Sequence, residues 1–371
     1  MNILMVVKNL RVANGVSSYV MNYYRKLIKT EGINIDFLIV SDTGSIYYDE
    51  ILNNGNKIFF MPKLKRIYKC YKYLNDLFRN SDYDILHSNV LNSNAIIAFL
   101  AKKNKIPVRI IHSHATQNGD NWIKKIINWP FFFISQKCSN VRFACSKKAG
   151  DNTFGKKDYY LIYNSIDCEK FKFSEAYRKQ IRNKYNINEN TLLLGTVARI
   201  TKQKNPYFMI DILEKLNKKN ENFVFWWLGN GNLDDEVKAY ANSKNLANKI
   251  EFFGATNDIY KYYSALDVFL LPSFYEGLPV VGIEAQINGL PCLFSKNISE
   301  EVKLNKNVSF LNINNSDIWC DNILNKESYE HISVIHDDII KKYSIDNSAN
   351  DLKKIYVQLC NKYRKGIQCE N

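Results

Sequence analysis

The chain has 371 residues, 46% of them hydrophobic and 24% charged. That composition excludes a disordered or collagen-like chain, and the length suits two domains that each bury a core. The formal net charge of +14 is lopsided: residues 1–190 hold 30 Lys and Arg against 15 Asp and Glu, while residues 191–371 hold 21 against 22. An excess confined to the first half points to an anionic partner, namely nucleic acid, a phosphorylated substrate or an anionic membrane surface. The competing reading is a coding bias that inflates Lys and Asn. No apolar run approaches the ~20 residues of a membrane span. The opening Met1–Val7 is too short for a signal peptide and has no basic region before it. Eight cysteines without a C-x-x-C pair suggest neither a zinc site nor a disulfide framework, but reduced thiols in a cytoplasm.

In chain order, strand-length apolar runs alternate with helix-period segments. The first half offers strands at Asn2–Val7, Asn34–Val40, Asp84–Leu86, Val108–His112, Val141–Cys145 and Tyr159–Tyr163, with helices at Ser17–Thr30, Asn92–Asn104 and Trp122–Lys137. The second half repeats the rhythm, with strands at Leu192–Val197, Phe223–Leu228, Ile250–Phe253, Val268–Leu271, Pro291–Phe294 and Val308–Leu311. Its helical segments include Pro206–Lys218 and Leu233–Asn242. Continuous apolar strands alternating with helices predict parallel sheets covered on both faces, hence two doubly wound domains. The expected boundaries are 1–167 for the first domain, 168–190 for a polar linker, 191–342 for the second domain, and 343–371 for a C-terminal helix packing back toward the first. Ligands of such folds bind beyond the carboxyl ends of the strands, so the expected site is a cleft between the domains.

Four segments carry chemistry. In Ser273-Phe-Tyr-Glu276-Gly277-Leu278-Pro279-Val280-Val-Gly-Ile-Glu284, Glu276 falls in the loop after a strand and Pro279 suits the first turn of a helix holding Glu284. Backbone amides from Gly277 to Val281 would hold an anion such as a diphosphate, and Glu276 would accept hydrogen bonds from sugar hydroxyls. The alternative makes Glu276 a helix cap and Glu284 a solvated residue. Arg199 and Lys204 flank a second post-strand loop and could clamp two phosphates. Asn14-Gly15-Val16 follows the first strand and lets a ligand approach the backbone closely. It is not G-x-G-x-x-G, which disfavours a nicotinamide fold. His87, His112 and His114, three of only five histidines, fall at the carboxyl edge of the first sheet. His112-Ser113-His114 is expected to alternate faces, with one ring toward the cleft and the other buried. A neutral histidine there could orient an acceptor hydroxyl or take its proton. No third ligand is in sight, so no metal site is expected.

The Glu276–Glu284 pair within Ser273-x-x-Glu276-Gly-x-Pro279 and Glu284-Ala, followed by Gly289-Leu-Pro291, resembles the E-x7-E signature of family 4 glycosyltransferases of the GT-B fold. Arg199 and Lys204 match that family's phosphate clamp, Asn14-Gly15-Val16 its N-terminal loop, and Asn164-Ser165-Ile166-Asp167 its Asn-Gly-Ile-Asp segment. Gly229-Asn230-Gly231 and Phe252-Phe253-Gly254 also fall where the family has them, and the likeness runs from residue 1 to about 360. It implies two Rossmann-like domains facing each other across a cleft, and a retaining transfer needing no metal and no cofactor beyond a nucleotide-sugar co-substrate, UDP-linked by expectation. By resemblance, Arg199 and Lys204 bind the diphosphate and assist the leaving group. Glu276, with the main chain of Gly277, Leu278, Pro279 and Val280, meets the sugar and phosphate, and Glu284 holds the ribose. The main chain at Phe253 and Gly254, beside Gly229, meets the base, Gly15 and Val16 approach the phosphates, and His114 or His112 faces the acceptor. Departures are Asn14 and Ala198 where the family has glycine, and Ser165 in Asn-Ser-Ile-Asp. The implied acceptor is a surface polysaccharide, as in capsule, exopolysaccharide or O-antigen synthesis, or a lipid-linked glycan. The basic, aromatic stretches Pro62–Phe78 and Trp122–Phe133 suggest peripheral attachment to the inner face of the plasma membrane. Two other classes stay open: a sugar-nucleotide epimerase on the same fold, and a non-enzymatic polyanion-binding protein.

Overall fold

The structure is a computed structural model that describes residues 1–11, 15–42, 44–91, 93–114, 122–219, 221–256, 258–325, 329–332 and 342–368, with backbone only for 122–128 and 365–368. The chain divides into two compact units, Met1–Ser165 with Lys342–Asn371, and Ile166–Lys341.

The first unit holds seven strands: β1 Asn2–Val7, β2 Asn34–Ile39, β3 Ile58–Phe60, β4 Ile85–Ser88, β5 Val108–Ser113, β6 Val141–Ala144 and β7 Tyr160–Leu161. They form one parallel sheet in the order β3-β2-β1-β4-β5-β6-β7. Alternation along β1 divides the core into two layers. Ile3, Met5 and Val7 pack beneath helix Gly15–Leu27 and the C-terminal helix Ile345–Gln368. Leu4 and Val6 pack on the opposite face beneath helices Ile67–Arg79 and Asn94–Lys103. Burial on both faces is why β1 reads as an unbroken apolar run. The C-terminal helix contributes Ile345, Leu352, Tyr356 and Leu359 to the first layer.

The second unit holds β8 Leu192–Val197, β9 Phe223–Leu228, β10 Ile250–Gly254, β11 Val268–Leu271, β12 Cys292–Ser295 and β13 Val308–Leu311. Again all pairs are parallel, in the order β10-β9-β8-β11-β12-β13. Both sheets reverse direction of growth beside their first strand, at β1/β4 and at β8/β11, and the loops that leave these strands carry the residues of interest.

The polar stretch 168–190 is folded. Asp167 and Ser174 cap helices Cys168–Phe171 and Glu175–Lys184 through their side-chain oxygens. Arg178 and Arg182 of the second helix pair with Asp267, just before β11, at 2.7 and 3.2 Å. Asp267 also accepts from the Leu193 amide at 2.7 Å. Charges in this polar segment therefore anchor it to the second sheet.

Candidate active site

In the second unit the loop after β8 is shaped by its neighbours. The Trp227 indole N–H donates to Ala198 O at 2.9 Å. A side chain at Gly231 would place its Cβ 1.9 Å from Ile200 O, and one at Gly229 would stand 2.3 Å from Ala198 O. The two glycines of Gly-Asn-Gly thus let the β9 loop close against the β8 loop. Arg199, held between them, is exposed and makes no ion pair with another described residue. A 3₁₀ turn Lys202–Lys204 follows, and Asn205 takes the left-handed conformation ahead of Pro206, the first residue of helix Pro206–Lys218.

That turn delivers Lys204 to the loop after β11. Its ammonium lies 2.5 Å from Glu276 Oε1, and the two side chains are only 13% and 10% exposed. Gln203 closes the same junction: its side-chain amide donates to Tyr275 O at 3.0 Å and to Glu276 Oε2 at 3.4 Å, while its main-chain carbonyl accepts from the Phe274 backbone amide at 2.9 Å. Gln203 was not singled out from the sequence, where a lone glutamine between lysines carries no signal. The arrangement corrects the reading of Glu276 as a helix cap, because its carboxylate is engaged by Lys204. Pro279 is the N-cap residue of helix Val280–Ile287, one position earlier than expected, and no side chain caps that helix. Glu284 is not a solvated residue: its Oε2 accepts from the Tyr263 hydroxyl at 2.9 Å. Burial pushes its carboxyl up to about 7, against the opposing effect of that hydrogen bond.

At the end of β10, Gly254 bridges to Gly229. Its φ of +69° and a would-be Cβ 2.9 Å from Asn230 Oδ1 account for glycine there. The Phe253 ring turns into a cluster with Tyr185, Trp226 and Tyr262. Leu278 and Pro279 are buried, and Gly277 and Val280 are half-buried. The second unit therefore gathers Lys204, Gln203 and Glu276 in direct contact, with Arg199 on the same β8 loop and Glu284 on the helix that follows Glu276.

In the first unit Gly15 opens helix Gly15–Leu27, with open space around its would-be Cβ, and Val16 packs partly against the core. Asn14 lies outside the described residues. His87 lies in β4 and His112 in β5, both fully buried, and His114 is the residue after β5. The expectation that His112 and His114 point to opposite faces is overturned. Their rings stack at 4.1 Å with a 30° tilt, because residues two apart along a strand share a face. It is Ser113 that points the other way, bonding Thr153 at 2.7 Å. His87 Nε2 meets His112 Nδ1 at 3.0 Å, His87 Nδ1 meets the Tyr356 hydroxyl at 2.5 Å, and His114 Nε2 meets Asn89 Oδ1 at 2.8 Å. Tyr19 packs its ring 5.1 Å from His112 and 4.8 Å from His114. Burial holds His87 and His114 down to about 3 and His112 well below the ordinary histidine value, so all three are neutral. Tyr19, Asn89 and Tyr356 had no sequence signal, since Tyr356 is 269 positions from its histidine partner. Among the described residues no group of three or more His, Cys, Asp or Glu is placed to hold a metal ion.

Two family profiles match: "Glycosyltransferase Family 4" over residues 13–170 and "Glycosyl transferases group 1" over residues 177–319. Among curated relatives, EpsF of Bacillus subtilis (strain 168), named as a glycosyltransferase, is 30% identical over 298 residues, covering 78% of this chain and 77% of its own. An Escherichia coli UDP-Gal:alpha-D-GlcNAc-diphosphoundecaprenol alpha-1,3-galactosyltransferase is 26% identical over 362 residues, covering 90% and 91%. Among solved structures, HepE of Anabaena in complex with UDP and glucose superposes with a TM-score of 0.73 at 15% identity, over 100% of both chains. TarM of S. aureus does so with a TM-score of 0.73 at 14% identity, over 96% and 99%. The two parallel-sheet units are those of the GT-B fold, and with the glycine-shaped β8 loop, Glu276 in the β11 loop and Glu284 on the helix after it, the chain belongs to glycosyltransferase family 4.

Proposed function

We propose that this chain is a retaining, metal-independent glycosyltransferase that moves a hexosyl or N-acetylhexosaminyl group from a UDP-linked donor to a surface polysaccharide or lipid-linked glycan. The observation that carries the proposal is the 2.5 Å contact between Lys204 and Glu276. It joins a cation suited to a diphosphate and a carboxylate suited to sugar hydroxyls at one loop junction. A donor whose diphosphate takes over the Lys204 ammonium releases Glu276 to accept from the sugar, so one displacement arms both groups. Arg199 supplies the second positive charge, and the backbone from Gly277 to Val280 a third source of donors. Neutralising the departing diphosphate with fixed cations is an electrostatic contribution of the kind that dominates many enzymes, and it needs no metal. Glu284 would hold the ribose, the main chain at Phe253–Gly254 beside Gly229 the base, and Gly15 and Val16 the approach to the phosphates. His112 and His114 would meet a hydroxyl on the acceptor side. Family membership favours this reading over an epimerase or a polyanion-binding protein. The UDP-Gal donor and diphosphoundecaprenol-linked acceptor of the E. coli relative support the choice of UDP and of a lipid-linked glycan.

The acceptor would bring the protein to the cytoplasmic face of an anionic membrane. No helix of the described residues is long and apolar enough to cross one. The first unit nevertheless exposes Ile67 and Tyr68 at 60% and 77%, and Trp129, Phe131 and Phe133 on helix Trp122–Cys138. Lys63, Lys65, Arg66 and Lys69 flank the first pair, which gives the charge complementarity an anionic bilayer requires. Co-sedimentation with phosphatidylglycerol vesicles, lost on phosphatidylcholine vesicles and in Trp129→Ser with Phe133→Ser, checks this attachment.

The activity is tested by incubating the protein, with a chelator present, against a panel of nucleotide sugars and lipid-diphosphate-linked acceptors while nucleotide release is measured. Release from one donor, falling 10²–10³-fold in Glu276→Ala and in Lys204→Ala, supports the proposal. Silence across the panel with no nucleotide binding overturns it.

A further inference from the structure

Glu284 is held by a tyrosine from another element, and that contact decides which of its oxygens is offered to a ligand. Tyr263, on helix Ile259–Ala265, is fully buried. Its ring packs against those of Phe171 and Phe269, each 5.8 Å away between centroids, which fixes where its hydroxyl lies. There it reaches two acceptors on helix Val280–Ile287: Glu284 Oε2 at 2.9 Å and the main-chain oxygen of Val281 at 3.3 Å. Three residues separate these two positions, so both fall on one face of that helix. An ionised carboxylate and a carbonyl can only accept. The tyrosine is therefore the donor, and the shorter, charge-assisted bond takes its proton. A second tie joins the same two helices. Asn288, the buried C-cap residue of the helix that carries Glu284, donates to Ser264 Oγ at 3.2 Å and to Phe171 O at 2.9 Å. Glu284 itself is half-buried, and among the described residues its Oε1 makes no hydrogen bond.

We propose that Tyr263 is a positioning residue for Glu284: its hydroxyl occupies Oε2 and leaves Oε1 as the oxygen presented to a ligand hydroxyl. That this hydroxyl belongs to the ribose of a nucleotide rests on the transferase reading. The contact also acts on the charge. Burial raises the Glu284 carboxyl to about 7, the Tyr263 hydrogen bond opposes that rise, and Lys170 on helix Cys168–Phe171 acts in the same sense as the bond. On the elements packed around this helix, Glu169 pairs with Lys172 at 2.7 Å, Lys261 pairs with Asp258 at 3.1 Å, and β12 brings the buried Cys292. Tyr263 therefore keeps a larger share of Glu284 in its charged form at neutral pH, and the charged form is the stronger acceptor.

The test is a carboxyl-carbon titration of the full-length protein labelled with ¹³C-glutamate, the Glu284 signal being identified by its absence in Glu284→Ala. In the native protein that signal should titrate at about 7. Tyr263→Phe keeps the packed ring and removes the hydroxyl, and the midpoint should then rise by about one pH unit, as the loss of a hydrogen bond to a charged group implies. The charged fraction at pH 7 falls from about half to about a tenth, so UDP affinity by calorimetry should fall about fivefold. In a Glu284→Ala background the same tyrosine substitution should change UDP affinity less than about twofold, because no carboxylate is left to position. A purely structural tyrosine would lower affinity equally in both backgrounds. That equality, or an unchanged Glu284 midpoint in Tyr263→Phe, overturns the proposal. The titration is made on the free protein and does not depend on turnover. A moved midpoint together with no UDP binding by the native protein upholds the tyrosine's hold on Glu284 and sinks the transferase reading alone.

Discussion

Acidification should unfold the two units to different extents. In the first, His87 and His114 are held down to about 3 and His112 well below its ordinary value, chiefly by burial. A histidine depressed in the folded state leaves the unfolded chain to bind protons first, so its stabilising effect is complete above the unfolded value of about 6.5 and is lost as pH falls below it. Between pH 7 and pH 5 a ring held near 3 removes about 2 kcal/mol. His87 and His114 together remove about 4 kcal/mol, a large share of the 5–15 kcal/mol typical of a domain, and His112 acts in the same sense. In the second unit Glu284 works in the opposite sense. Its carboxyl, raised to about 7, favours the protonated folded state and adds about 2 kcal/mol over the same interval. His331, lowered by burial, offsets part of that gain. Urea titrations at pH 7 and pH 5, each sampled by a brief deuterium pulse at one common pH and read peptide by peptide, separate the units. Peptides from β1 and β5 should show the large loss, and those from β8 and β11 little change. His87→Gln should remove about 2 kcal/mol of the first unit's loss. A first unit that keeps its stability to within about 1 kcal/mol at pH 5 would refute the reasoning that these rings are buried and neutral.

Three further outcomes follow from the second unit. Asp267→Asn strips the partner from Arg178 and from Arg182, which is 1% exposed. Breaking a buried pair from one side costs about 3–5 kcal/mol, read as a lower urea midpoint of this unit. Gly231→Ala would set a Cβ 1.9 Å from Ile200 O, which forces the β8 loop away from its neighbour. Nucleotide affinity by calorimetry should fall at least tenfold with the circular dichroism spectrum retained, and unchanged affinity would separate this loop from the binding site. Because Glu284 titrates near neutrality, ribose contacts to its carboxylate should lower KM for the donor as pH rises from 6 to 8, and Glu284→Gln should flatten that profile.

The strands were legible because their chemistry is repeated along each one. β9 and β11 carry uninterrupted apolar residues, β1 and β8 nearly so, and the limits of these strands and of β13 coincide with the runs read from the sequence. β3 went unread because three residues at a sheet edge carry no period. Helix Glu175–Lys184 was taken for a linker because its signal is polar: two arginines whose partner, Asp267, lies more than eighty positions away. The same division holds at the site. Glu276, Glu284, Arg199 and Lys204 stand in a spacing that a local pattern exposes. The contacts that orient them, Gln203 to Tyr275 and Tyr263 to Glu284, join separate loops and helices. The histidines show the limit most clearly. Their positions were read correctly and their relative orientation was not, although the two-residue period of a strand was enough to settle it.

Lys204 differs in its setting from most of the other Lys and Arg residues of a chain with 51. Most of the ion pairs in this structure have at least one partner in solvent, where such a pair is worth at most about 1 kcal/mol. The Lys204–Glu276 pair is desolvated on both sides. A buried pair is a poor stabiliser, since the attraction does little more than offset the lost hydration. In the proposed function its role is to hold two opposite charges in register until a ligand carrying a stronger anion and several hydroxyls offers each a better partner. If that is its role, Glu276→Gln should bind a nucleoside diphosphate more tightly than the native protein, because Lys204 no longer has to leave a carboxylate, yet should lose discrimination between the nucleotide and its sugar-bearing form. Calorimetric titration of UDP and of UDP-linked sugars against both proteins decides it: weaker UDP binding by Glu276→Gln would show that the carboxylate contributes to holding the diphosphate site together and does not compete for its lysine.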